Sequence, residues 1–323
     1  MEWQSMRWIA YGFMLIYLVD IIGLMLNVSS FRCYDSFKSF DRGMPMAKTN
    51  LTKEDISVSD KFICKFSEMY IRQRAETRFD YKSVDMGLLF KKHGFQSETL
   101  EKIITRNSVS ADIVREAGEK PAIINDIYRS DLGELLLTYY FEEKIPEGER
   151  FKIPCKNITN RELASLPGRG LDAIGYREKD GRMELLVGEA KVSEQKKNPP
   201  DVVDYRKDSI YETQKKFKDS RDRLVQRLSD HCRKLSDHDA SRLGLLILLM
   251  ESDRKNDYDI VFGCSLVRDI SCIRLNDDFG KFHTRKTDFE PHQVSFCIMN
   301  FDKNIGETVD LFYKKVQELC SPK

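Results

Sequence analysis

Hydrophobic and polar positions alternate most clearly between Leu171 and Ser193. Two apolar-rich segments, Leu171–Arg177 and Glu184–Ser193, flank a loop holding Asp180-Gly181. An Asp-Gly pair in that setting predicts a two-residue hairpin, because a type I′ turn needs positive φ at both central positions. Lys179 then faces Arg182, and an unbulged ladder brings Asp172 opposite Glu189. Side chains alternate along a strand, so Lys191 shares the face of Glu189, while Leu186, Gly188, Ala190 and Val192 take the other. Leu185 and Val187 keep the carboxylate face only partly polar. Two carboxylates directly opposed repel unless a cation sits between them.

Asn125–Glu143 predicts a helix, ended by the Pro-Glu-Gly breaker at Pro146–Gly148. Leu132, Leu135, Leu136, Tyr139 and Tyr140 form one broad stripe, and Leu137 and Phe141 carry apolar character to the far side. A helix apolar nearly all round is buried. Glu134 then lies among apolar side chains with no Lys or Arg at helical spacing, and a buried carboxylate needs a partner, a metal or a proton.

The remaining pattern is read in order. Met46 to about Pro121 is polar and mixed: Ser59–Arg74 interleaves apolar and charged residues, and a helix is expected near Glu98–Ile104. Phe151–Cys155 is a short strand and Pro167–Gly170 a loop entering the hairpin. Asp201 to His238 gives one or two helices. Leu243–Met250, Ile260–Val267 and Gln293–Phe301 are expected as strands, the first so continuously apolar that both its faces should be covered. Gly306–Leu319 is a closing amphipathic helix. The expected divisions are an apolar segment at 1–45, an α-rich portion at 46–120 and an α/β domain at 121–323.

Trp8–Leu26 is 19 residues long with one charge, Asp20, which meets the length of a membrane span. Translation starting at Met44 or Met46 would remove it. The first reading gives an inner-membrane tether, the second a cytoplasmic protein, and both stay open.

Composition narrows the chemistry. Lys and Arg number 53 against 52 Asp and Glu, a net charge of +1, which argues against gripping nucleic acid through bulk positive charge. Eight cysteines without a C-x-x-C pair offer no zinc spacing and suit a reducing compartment. No P-loop, G-x-G-x-x-G or G-x-S-x-G occurs, so nucleotide hydrolysis would belong to a partner.

The order helix with Glu134, strand, strand with Asp172, strand with Glu189-Ala190-Lys191, helix resembles the PD-(D/E)xK nuclease superfamily. Gly170-Leu171-Asp172 stands where the superfamily's name has Pro-Asp. The resemblance implies a restriction-endonuclease-like α/β fold, a mixed sheet flanked by helices. Within it, Leu132-Gly133-Glu134, Gly188–Lys191 and the closing strand and helix look like the nuclease subunit (HamA-like) of Hachiman-type anti-phage defence systems. That resemblance implies Mg²⁺-dependent cleavage of DNA, with Mn²⁺ as a substitute, beside a helicase subunit. Asp172 and Glu189, with the carbonyl of Ala190, would supply hard oxygen ligands. Lys191 would orient water or offset developing phosphorane charge, Glu134 would hold a second metal or its waters, and Arg169 would contact a phosphate. Gln214 stands where some relatives have a supporting polar residue. The alternative is a non-catalytic nucleic-acid-binding or scaffold module on the same fold.

Overall fold

The computed structural model describes residues 49–76, 83–118, 121–160 and 170–320. Trp8–Leu26, with both its readings, and Arg169 lie outside the described residues. Among those residues no helix is long and apolar enough to cross a membrane. The elements are β1 (Thr49–Ile56), α1 (Asp60–Arg74), α2 (Val84–Lys92), α3 (Ser97–Gly118), α4 (Pro121–Tyr139), β2 (Lys152–Lys156), β3 (Ala173–Lys179) and β4 (Arg182–Ser193). They continue with α5 (Ile210–Asp219), α6 (Arg221–Cys232), α7 (Asp237–Glu251), β5 (Tyr258–Asp269), β6 (Gln293–Phe301) and α8 (Ile305–Cys320), with single turns between.

The six strands form one mixed sheet in the order β1-β6-β5-β4-β3-β2. Pairing is parallel from β1 to β4 and antiparallel from β4 to β2. The expected hairpin is present: Lys179 pairs with Arg182, and Asp180 and Gly181 take φ of 52° and 73°. The ladder reaches Ala173 opposite Gly188, so Asp172 sits one residue before β3, where its N–H donates to the Gly188 carbonyl at 3.2 Å.

Each face of the sheet carries its own core. Leu186 and Ala190 of β4 pack with α1, α4 and α8, whereas Leu185 and Val187 pack with α5, α6 and α7. Helix α4 sits unusually close to β4. A Cβ on Gly133 would come 2.9 Å from Val192 Cγ2, and one on Gly188 would come 3.0 Å from Leu137 Cδ2. The predicted helix at Asn125–Glu143 is thus α4 followed by one π-helical turn, Tyr140–Lys144.

Two expectations need correction. Leu243–Met250 is no strand but the second half of α7. Its buried residues Leu243, Leu246, Leu249 and Met250 recur at helical spacing, while Leu248 is 65% exposed. The run is leucine-rich with Ile247 as its one β-branched residue, which favours helix. The α-rich portion at 46–120 begins with a strand, β1, whose eight positions pair in parallel with Val294–Phe301. Residues 46–323 make one compact unit.

Candidate active site

The open end of the hairpin, away from its turn, gathers the predicted side chains. Glu189 leaves β4 on the face shared with Leu185 and Val187, and Asp172 precedes β3 on that same side by alternation. Asp172 is fixed from three directions. Its Oδ2 accepts from the Ala190 N–H at 2.7 Å, its carbonyl accepts from the Asn157 N–H at 3.0 Å, and its own N–H is used by Gly188. Lys191 Nζ reaches Glu189 Oε1 at 2.8 Å.

Glu134 arrives from α4, and the close seat of Gly133 on β4 is what brings it in. It is only 4% exposed. Asn157 Nδ2 donates to Glu134 Oε1 at 3.1 Å and Ser130 Oγ to the same oxygen at 3.4 Å. Asn157 therefore holds Glu134 with its side chain and Asp172 with its backbone. Sequence reasoning missed it, since nothing in Cys155-Lys156-Asn157 marks the residue. Ser130, four positions before Glu134 on the helix, could have been found by spacing.

The electrostatics follow from three carboxylates and one ammonium in a dry site. Burial raises the Glu189 carboxyl to about 8, helped by the Asp172 charge and opposed by Lys191. Burial raises Asp172 to about 6, against the Lys191 ammonium and the Ala190 N–H. Glu134 is raised well above the usual carboxylate range by burial first and the Asp172 charge second. Burial works against the Lys191 charge, yet Glu189 and Asp172 lift its pKa above the ordinary value. Asp208, a residue the sequence reading passed over, adds its negative charge to both Glu189 and Lys191.

Three negative charges against one positive leave an excess of two, which bound protons relieve in the absence of a cation. One divalent cation would relieve it equally well. The oxygens agree with that: Oε2 of Glu134 and Oε2 of Glu189 are buried without a hydrogen-bond partner. Among the described residues, no group of three or more His, Cys, Asp or Glu side chains is arranged to hold a metal ion. The buried carboxylate oxygens of Asp172 and Glu189 are hard donors that fit a divalent cation such as Mg²⁺, with water filling its remaining positions.

Gln214 on α5 is fully buried and donates to the Val187 and Gly263 carbonyls at 2.9 and 3.1 Å, tying β4 to β5. Its Oε1 is left unpaired. Two hollows of about 700 and 610 Å³ lie on other surfaces and include none of Glu134, Asp172, Glu189 or Lys191.

No curated protein and no solved structure matches the chain. The HamA family does match, over residues 82–316, a span from α2 into α8 that takes in Glu134, Asp172, Glu189 and Lys191. With most of its length covered, the chain belongs to the HamA family.

Proposed function

We propose that this chain is a divalent-metal-dependent nuclease that hydrolyses phosphodiester bonds of DNA, the effector of a Hachiman-type anti-phage defence system acting with a helicase subunit. The observation that carries the reading is the pair of opposed, buried carboxylates, Asp172 and Glu189, with Lys191 at 2.8 Å from one of them. A sheet has no structural use for two repelling carboxylates in a dry site, and their unpaired oxygen asks for a cation. Membership of the HamA family supports the defence setting.

When bound, Mg²⁺ would polarise the scissile phosphate and lower the pKa of a bound water. Asp172, locked by the Ala190 N–H, and Glu189, locked by Lys191, would hold it in a fixed geometry. Lys191 keeps its proton across the physiological range and is placed to steady negative charge on a phosphate oxygen. Glu134 accepts hydrogen bonds through one oxygen only, which leaves the other for water. Near-balanced net charge suits a chain whose partner grips the nucleic acid.

The test is cleavage of single-stranded and duplex DNA and RNA by the purified chain, with and without a helicase subunit of such a system, in Mg²⁺ and in EDTA. Wild type should cleave DNA only with metal, and Glu189→Gln and Lys191→Ala should both lose activity while remaining folded. Equal cleavage by wild type and both variants would reject the site. Metal-independent binding without cleavage would favour the scaffold alternative.

A further inference from the structure

Helix α6 places a cation beside this site that the nuclease reading has not used. Arg221 and Arg233 on the same stretch each meet a carboxylate, Asp253 at 3.2 Å and Asp230 at 2.6 Å. Arg227 between them has no ion pair or hydrogen bond among the described residues. It is half-buried, next to Leu228 and three residues from Leu224, both of which are fully packed. An arginine that only covered those leucines would lay its stem on them and turn its head to water. Arg227 instead lays its head on the backbone of Gly170. A Cβ at Gly170 would lie 3.4, 3.5 and 3.6 Å from Arg227 Cζ, Nη1 and Nη2. Three nearly equal distances mean that the flat face of the guanidinium is turned to Gly170, which leaves its N–H edges free to donate.

Gly170 is two residues before Asp172, so the two backbones are separated by at most about 7 Å. Leu224 and Leu228 belong to the same core as Leu185 and Val187, the residues that share a face with Glu189. Arg227, Asp172 and Glu189 therefore lie on one side of the sheet. A flat, permanently charged fork with open edges suits bidentate contact with a phosphate. The glycine is part of the device: its φ of +117° disfavours other residues, and any side chain would press on the guanidinium.

We propose that Arg227 binds a backbone phosphate of the nucleic-acid strand next to the phosphate that is cut, seated there by Gly170. This rests on the nuclease reading above.

The full-length chain should be titrated in EDTA with short fluorescein-labelled DNA oligonucleotides, single-stranded and duplex, across a range of KCl concentrations. Arg227→Gln should bind roughly tenfold more weakly, as expected for one lost charge-assisted contact. Its slope of log affinity against log salt should be shallower by about 0.7–0.9, the signature of one lost phosphate. Arg227→Lys should keep the slope and recover part of the affinity, since charge remains and the fork does not. With Mg²⁺, Arg227→Gln should raise KM more than it lowers kcat, and its melting temperature should match wild type because no partner is lost. A wild type that cleaves DNA beside an Arg227→Gln variant with an unchanged salt slope overturns this assignment alone. A wild type that neither binds nor cleaves nucleic acid, alone or with a helicase subunit, overturns the nuclease reading, and this one with it.

Discussion

On the proposed reading, a divalent cation would compete with protons for the oxygens of Glu189, Asp172 and Glu134. All three carboxyls are raised by burial, so the folded chain holds protons that the unfolded chain releases. Stability in EDTA should therefore fall as pH rises from the ordinary carboxylate range, about 4, through about 8. Bound Mg²⁺ would displace those protons, so on the proposed reading it should raise the melting temperature more at pH 8 than at pH 6. Calorimetric melting of wild type and Glu189→Gln checks both statements. A variant that keeps the full pH slope and the full response to Mg²⁺ would show that Glu189 is not where they originate. Asn157 offers a second measurement. Asn157→Ala removes the amide bonded to Glu134, and urea unfolding should register a loss of about 1–3 kcal/mol. The same change in a Glu134→Leu background should cost much less, because no buried carboxylate is left waiting; equal losses would disprove the coupling.

Helix α4 controls the site through its distance from β4. Gly133 permits the approach, and Gly133→Val would drive a branched side chain against Val192. The expected result is a loss of about 1–3 kcal/mol in denaturant unfolding, together with reduced metal-dependent cleavage as Glu134 is pushed back. An unaffected protein would mean that α4 can slide without consequence. How legible each element was depended on whether its signal was local. The hairpin was readable because Asp180-Gly181 fixes register by itself, and β6 because Gln293–Phe301 is apolar with β-branched and aromatic residues. Helix α7 was misread because a run of leucines has no polar positions to reveal its period. Strand β1, Thr-Asn-Leu-Thr-Lys-Glu-Asp-Ile, is a half-exposed sheet edge, paired through backbone, so its side chains carry almost no pattern. Glu134, Asp172, Glu189 and Lys191 stand out as residue types in an apolar setting. Asn157, Asp208 and Arg227 reach the site only through the fold, and a polar residue in a polar stretch announces nothing.

Strand β1 ties the start of the described chain to its end. Asp302 accepts from Ser57 Oγ and from the Val58 N–H, each at 2.8 Å, closing the β1–β6 pair across a separation of 245 and 244 residues. Asp302→Ala should speed hydrogen exchange in Thr49–Ile56 while β4 and β5 stay protected; uniform protection would rule out that latch. The same pairing sets an order on synthesis. β6 lies between β1 and β5, so among the described residues the first strand to leave the ribosome waits for the last one. At about 5–20 residues per second, 245 residues take roughly 12–50 s. During that time β1 offers an unpaired backbone edge to any strand it meets, and its Lys53, Glu54 and Asp55 serve to discourage the wrong ones. A chain whose translation stops before Gln293 never joins its two ends, so an interrupted product cannot complete the sheet that holds the carboxylates in place.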